Sequence, residues 1–206
     1  LVHVLGHSND MNKISKICKK YNIFLIEDTC EALGSEIKKK KLGTFGIASS
    51  FSFFYGHHIS TIEGGMVCTN NNILANIMKS VRSHGWLRDY PQKEKNKILK
   101  KNKISKFNSK FSFIYSGFNI RSTELNAYLG INQLKKINKI SKIRQKNYNI
   151  FKKYLHKFHY QKCKTDVLSN FGFATLVSNR DEVFQHLSKK KIECRPIIAG
   201  SISNQL

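Results

Sequence analysis

The feature that most limits what this chain can fold into is the run Ile23-Phe24-Leu25-Ile26, which stops at Glu27-Asp28. It is an apolar run of strand length ending on two carboxylates. The residues before it supply matching parts. Leu1 to Leu5 reads as a short buried strand, Ser8-Asn9-Asp10 offers helix-start residues, and Met11 to Tyr21 sets Ile14 and Ile17 on one side and lysines on the other. Strand, helix and strand in that order predict a βαβ unit and a parallel sheet. Sites in such sheets gather at the carboxyl ends of strands, and Asp28 stands at one.

Further along, Lys38 to Lys41 with Leu42-Gly43 reads as a loop, Ala48 to Phe54 as a strand, and Met66-Val67-Cys68-Thr69 after Gly64-Gly65 as another. Asn72 to Ser83 has Ile73, Ile77 and Val81 at intervals of four, which predicts a helix. Asp89 to Lys110 is polar and lysine-rich with few apolar anchors, so a mobile loop is expected there. Ser122-Thr123-Glu124 opens helical pattern that continues to Leu155, either as two helices or as one long one. Phe171 to Val177 is strand-like, Asp181 to Lys191 helical, and Ile192-Glu193-Cys194 begins a further strand. We expect residues 1–145 to be part of a large α/β domain and 146–206 part of a small α+β domain. The chain starts at Leu1 rather than Met and ends abruptly at Gln205-Leu206, just after Arg195-Pro196-Ile197-Ile198-Ala199-Gly200, so it is read as an internal stretch of a longer protein.

Composition excludes some functions and leaves others open. The net charge of +23 over 206 residues invites a nucleic-acid reading. Yet Lys, Ile and Asn are abundant everywhere, as in a compositional bias, and no motif of a nucleic-acid module appears, so no specific nucleic-acid partner is expected. The surplus charge also favours an anionic substrate, though only non-specifically. Five cysteines, at 18, 30, 68, 163 and 194, are too scattered for local zinc or iron–sulfur ligation and fit a reducing cytoplasm. No apolar run is long enough to span a bilayer, and the opening residues lack a signal-peptide pattern.

The chemistry concentrates between Ile26 and Thr69. Asp28 at a strand end can hold a cationic nitrogen, and beside a pyridine ring it keeps the ring nitrogen protonated. Ser52 can bond a phosphate, Gly56, Gly64 and Gly65 allow close backbone approach, and His57 can move protons near neutral pH. Singly these are weak signals: an Asp after a strand is more often a turn former, and adjacent histidines are more often structural. His58 is taken as structural.

In this order and spacing they resemble something specific. Glu27-Asp28, Gly43-Thr44-Phe45-Gly46, Ser52-Phe53, a short turn and Glu63-Gly64-Gly65 follow the pattern of the DegT/DnrJ/EryC1/StrS sugar aminotransferases. Gly117-Phe118-Asn119-Ile120-Arg121-Ser122-Thr123-Glu124-Leu125 resembles a second segment of that family. The resemblance implies the aspartate aminotransferase-like fold of fold-type I pyridoxal 5'-phosphate (PLP) enzymes, with a mostly parallel sheet. It implies Asp28 on the pyridine nitrogen, Ser52 on the cofactor phosphate, and Asn119 on the phosphate of a neighbouring subunit, hence a homodimer with shared active sites. It further suggests Glu31, one helical turn after Asp28, facing the cofactor's ring hydroxyl, and His84, Arg88 and Arg195 toward the substrate. For Glu31, His84 and Arg195 an ordinary structural or solvated residue is the competing reading.

The departure is at the family's lysine position, which here is His57. Imidazole cannot replace a lysine amine in the covalent link to the cofactor aldehyde. The cofactor must then be held non-covalently, as pyridoxamine 5'-phosphate (PMP). The family has such a subgroup, sugar 3-dehydratases of deoxysugar and O-antigen (lipopolysaccharide) biosynthesis. Tyr55-Gly56-His57-His58-Ile59-Ser60-Thr61-Ile62-Glu63-Gly64-Gly65-Met66 looks like its GDP-sugar branch; the CDP-sugar branch carries a close cysteine set that this chain lacks. The resemblance implies a lyase that removes the 3-hydroxyl of a GDP-linked 4-keto-6-deoxyhexose, with glutamate restoring PMP and His57 as its acid–base. Two other readings stay open: an ordinary nucleotide-sugar aminotransferase, and a non-catalytic basic binding protein on the same fold.

Overall fold

A computed structural model describes residues 1–160, 165–197 and Ser203; Cys163 and the Ile198-Ala199-Gly200 stretch lie outside the described residues. The first helix, α1 (Met11–Lys20), starts where the side chain of Asp10 accepts a hydrogen bond from the Lys13 N–H at 3.2 Å. It leads to the strand β1 (Ile26–Asp28). After a hairpin of β2 (Glu36–Ile37) and β3 (Lys40–Lys41), the chain returns as β4 (Ala48–Ser52) and reverses into β5 (Gly65–Cys68). The sheet order is β1-β4-β5. β1 pairs with β4 in parallel, Asp28 opposite Ser50, and β4 pairs antiparallel with β5, Ser52 opposite Gly65. Met11, Ala32 and Leu42 form the core between α1 and the sheet, with Leu25, Ile37 and Phe45 packed on it.

Four expectations are corrected in this half. The strand expected on Ile23-Phe24-Leu25-Ile26 begins only at Ile26, Ile23 and Phe24 being exposed before it, so Glu27 and Asp28 lie within the strand rather than after it. Leu1 to Leu5 is not a strand: only Val2 bridges Asp28, in parallel, and Val4–Gly6 then coils into a 3-10 turn. The cause is a left-handed Leu5 (φ 54°), whose N–H is drawn to the Glu31 carboxylate at 2.7 Å. Lys38 to Lys41 is not a loop but the turn and second strand of a hairpin. Lys38 and Lys39 both sit at positive φ (51° and 60°), the two-residue geometry that suits the strand twist. Asp166 accepts from the Lys38 N–H, and Glu36 pairs with Lys41 and bridges Val167, so local carboxylates offset the lysine run. Residues 29–34 are turns rather than a helix, so Glu31 reaches its position through Thr29 and Ala32 turn hydrogen bonds.

α2 (Asn72–Val81), capped by Asn71, follows the predicted periodicity. The expected mobile loop is instead α3 (Gln92–Lys101) followed by a 3-10 turn at Asn108–Phe111. Lys, Glu and Gln are good helix formers, Glu94 lies in the first turn and Lys100 and Lys101 in the last, so the helix dipole is satisfied at both ends without apolar anchors. The long helical stretch divides into α4 (Glu124–Leu134) and α5 (Ile137–Tyr154). α4 opens on a capping box in which Thr123 and Asn126 exchange hydrogen bonds. β6 (His159–Tyr160) and β7 (Thr175–Leu176) form a two-stranded ladder, and α6 (Arg180–Lys189) follows. Most of Phe171 to Val177 is therefore a strap rather than a strand, and Ile192-Glu193-Cys194 is not a strand. Among the described residues no helix is long and apolar enough to cross a membrane.

Candidate active site

The end of β1 is built around Glu27, which has no exposed surface. Its Oε1 accepts from the N–H groups of Phe45 (2.6 Å) and Gly46 (2.7 Å); its Oε2 accepts from Gly43 N–H (2.9 Å) and His3 Nε2 (3.0 Å). Burial pushes its pKa up, but the His3 side chain and these N–H groups outweigh it and hold the carboxyl below its usual range. The Gly43-Thr44-Phe45-Gly46 motif is thus a loop folded onto a buried anion. Gly43 sits at φ 88°, and a Cβ there would fall 2.8 Å from the Phe51 ring and 2.9 Å from Thr29 Oγ1, so both conformation and space require glycine.

Asp28, the next residue, turns to the other side. Its Oδ1 accepts from the Cys30 N–H at 3.0 Å. Burial raises its pKa, but the Cys30 thiol and N–H and the Ser50 hydroxyl lower it further, so the carboxylate stays ionised. Cys30 is correspondingly pushed up to about 11, by burial and by Asp28, and remains a thiol that donates; its Sγ lies 3.9 Å from Ser50 Oγ. The carbonyl of the same Cys30 receives His57 Nδ1 at 2.7 Å. A carbonyl only accepts, so Nδ1 carries the proton and a neutral His57 presents an unprotonated Nε2. One residue therefore spans from Asp28 to His57.

Ser52 lies at the end of β4, where its Oγ accepts from Phe54 N–H at 3.3 Å, leaving its hydroxyl proton free to donate. The turn after it is set by His57 N–H to Phe54 O (3.0 Å) and Thr61 N–H to Phe53 O (2.9 Å). His58 is buried, donates through Nε2 to Ser169 O (2.8 Å), and is driven down to about 4 by burial, so it is neutral and structural, as expected. Asn126 of α4 donates to Thr61 O (2.8 Å) and Glu63 O (3.1 Å), holding the following loop. Glu31 lies half-buried near this site with one oxygen on the Leu5 N–H.

A strap from Thr165 to Phe173 covers the site from the far end of the chain. Phe171 lies against His57, ring centroids 4.9 Å apart, and Arg195 lies over the same phenyl ring at 5.7 Å. The predicted residues thus fall into two groups. Asp28, Ser52 and His57, with Glu31 and Arg195, surround the β1 and β4 ends. His84, Arg88 and Asn119 form a second, exposed group held by its own contacts. Ser83 bridges Asn119, His84 N–H donates to Phe118 O (2.7 Å), and His84 is left-handed at φ 63°. Arg88 stacks over Trp86 at 4.2 Å and pairs with Asp89 at 3.1 Å. Trp86 in turn stacks on Phe111 and Phe113. Sequence reasoning missed Cys30, Phe171, Asn126 and Trp86. Only Asn126, three residues after Thr123, carried a local signal, as the second half of a capping box.

The sequence matches the DegT/DnrJ/EryC1/StrS aminotransferase family over residues 1–205. It is similar to a GDP-4-keto-6-deoxy-D-mannose 3-dehydratase of Yersinia pseudotuberculosis, 38% identical over 97% of this chain and 52% of that protein. Its structure is similar to that of the E. coli GDP-4-keto-6-deoxy-D-mannose-3-dehydratase with bound hydrated PLP, at 34% identity and a TM-score of 0.86, covering 98% of this chain and 54% of that one. It is also similar to a structure of such a dehydratase with a trapped PLP–glutamate geminal diamine, at 34% identity and a TM-score of 0.85, over 97% and 53% of the two chains. The chain spans about half the length of the relatives it matches.

Proposed function

Because this chain belongs to the DegT/DnrJ/EryC1/StrS aminotransferase family and has its PLP-enzyme fold, we propose that it is part of a PMP-dependent nucleotide-sugar 3-dehydratase. The observation that carries this is the tether of His57 Nδ1 to Cys30 O at 2.7 Å, two residues beyond Asp28. It leaves a proton-accepting Nε2, rather than an amine, on a side chain tied through Cys30 to the carboxylate suited to a pyridinium.

The residues present fit the cofactor. Asp28 is ionised, held by the Cys30 N–H and thiol and the Ser50 hydroxyl, and is suited to pair with a ring N–H; Ser52 has a hydroxyl proton to donate to phosphate. Bound PMP would supply an amine able to condense with a 4-keto sugar and a protonated ring able to accept an electron pair. Asp28 holds the proton on the ring nitrogen. His57 takes a proton at Nε2 and, once charged, gives it to the hydroxyl departing from carbon 3. The balance is a 3-deoxy-4-keto sugar, ammonia and the cofactor left in its aldehyde form, PLP, the two electrons for loss of the hydroxyl having come from PMP. We take the substrate to be GDP-linked and glutamate to be the amino donor that restores PMP, on the similarity to the dehydratases above. The exposed His84, Arg88 and Asn119 would then serve the site of a second subunit in a homodimer, while Arg195 meets the substrate on its own side. Residues 1–145 would belong to the large cofactor-binding domain and 146–206 to the small one, in a cytoplasmic enzyme.

The test is incubation of the full chain with PMP and GDP-4-keto-6-deoxymannose. Ammonia and a 3-deoxy sugar are expected, and His57→Asn should abolish both. An amino sugar in place of ammonia would identify an aminotransferase, and full dehydration by His57→Asn would refute the role of His57.

A further inference from the structure

The strap that covers His57 is pinned more firmly than a passing loop requires. Ser169 N–H donates to Ser35 Oγ (3.0 Å), Ser169 O accepts from His58 Nε2 (2.8 Å), Asn170 O accepts from Arg144 (2.8 Å), and Phe171 N–H donates to Leu5 O (3.1 Å). Gly6 leaves no room for slack: a Cβ on it would lie 2.7 Å from Ser169 O. Leu168, Ser169 and Asn170 are buried. These contacts all fix one side chain that does no packing in the main core, the half-buried Phe171.

Among the described residues that ring faces His57, the structural His58 and Arg195, and the first and last bear on the proposed chemistry. His57 is 4.9 Å away, tilted by 49°; His58 is 6.1 Å away; and the Arg195 guanidinium is 5.7 Å from the ring centroid. His57 has one hydrogen bond from its ring, at Nδ1, which leaves rotation about that bond to be limited by packing. Phe54, at 6.1 Å and edge-on, limits it on one side. Phe171 limits it on another, and through its π face also holds the cation.

We propose that Phe171 is a positioning residue that joins substrate recognition at Arg195 to proton transfer at His57. Its ring keeps the His57 imidazole in the orientation that satisfies Cys30 O and aims Nε2 at the reacting carbon, and the same ring orders Arg195 for an anionic phosphate of the substrate. The inference rests on the function proposed above for its kinetic consequences, but not for its geometry.

Two kinds of measurement test it. In 15N spectra of histidine-labelled protein, with the His57 signal assigned through His57→Asn, the full chain should show Nδ1 protonated and Nε2 bare. Phe171→Ala should give exchange between tautomers, and Phe171→Leu, which keeps the bulk, should retain the original one. In kinetics, Phe171→Ala should lower kcat by about ten- to a hundredfold through misorientation and raise KM. Phe171→Leu should keep kcat within a few-fold but raise KM by about two- to fivefold, the size of a lost exposed cation–π contact. Arg195→Gln should raise KM to a similar extent with kcat unchanged, and adding Phe171→Leu to it should raise KM no further. Unchanged His57 spectra and kcat in a folded Phe171→Ala variant would overturn the proposal, as would additive KM effects. If no sugar is dehydrated but the spectra change as described, the reaction assignment fails and the positioning role stands.

Discussion

Glu27→Gln is the substitution for which the structure gives the clearest expected cost. The side chain is fully buried and isosteric with glutamine, so packing is conserved and only the hydrogen bonding changes. The carboxylate accepts four donors, two on each oxygen. An amide has one accepting oxygen. If that oxygen keeps Phe45 and Gly46, the NH2 group faces Gly43 N–H and His3 Nε2. His3 can adapt by moving its proton to Nδ1, but Nδ1 has no partner in this structure, so the relief at Nε2 exposes a new unmet donor. Gly43 N–H cannot adapt at all. Two buried donors without acceptors cost about 1–3 kcal/mol each, so a loss of roughly 2–6 kcal/mol is expected, against about 5–15 kcal/mol for a whole domain. The wild-type effect also has a pH signature. The Glu27 pKa is held below its ordinary 4.5, so its contribution is present above pH 4.5 and drains away as pH falls through the lower folded value. Urea unfolding of the full chain at pH 7 and at pH 4 measures both. A loss under 1 kcal/mol at pH 7, or a glutamine variant whose acid sensitivity matches wild type, would refute the reasoning.

Other outcomes follow from neighbouring groups. Cys30, raised to about 11, should resist iodoacetamide at pH 8 while Cys18 reacts, as read by peptide mass spectrometry. Cys30→Ala removes a donor from Asp28 and should weaken PMP binding by about fivefold, for roughly 1 kcal/mol, with Cys30→Ser recovering most of it in a fluorescence titration. His58 is neutral in the fold, with a pKa of about 4 against 6.5 unfolded, so the unfolded chain binds more protons between those values. Stability should therefore fall by roughly 3 kcal/mol as pH drops from 6.5 to 4, and His58→Asn should flatten that part of the stability profile.

How much of this was legible in sequence depends on whether a signal was local. α1, α2 and α6 follow from apolar spacing, and Asp28, Ser52 and His57 draw the eye as motif members close along the chain, whereas β1 begins only where its apolar run ends. Elements stabilised by side chains elsewhere were not legible. The Lys38–Lys39 turn looks like solvated charge until Asp166 is known to face it, and α3 offers too few apolar residues for a periodicity argument although its termini are correctly charged. The site divides in the same way. The tether between Cys30 and His57 uses a backbone carbonyl, which every residue type possesses, so no side-chain pattern could announce it. Phe171 lies 114 residues beyond His57 in a stretch whose own pattern suggests only a strand.

This asymmetry bears on how lysine and histidine differ at position 57. A lysine there needs only reach, since a covalent bond to the cofactor fixes its end. An imidazole has no such bond and must be aimed by what surrounds it: a carbonyl that fixes the tautomer, and rings that fix the plane. The residues that make His57 useful are therefore the ones a motif cannot contain, and replacing His57 with lysine would leave Cys30 O facing a cation rather than an N–H of defined direction. If the proposed function holds, His57→Lys should lose dehydration, and the Cys30 carbonyl and Phe171 should draw the ammonium partly away from any cofactor aldehyde. A covalent PLP–lysine absorbance band is then expected to form incompletely at saturating PLP; complete formation would show that the surroundings of His57 impose no orientation of their own.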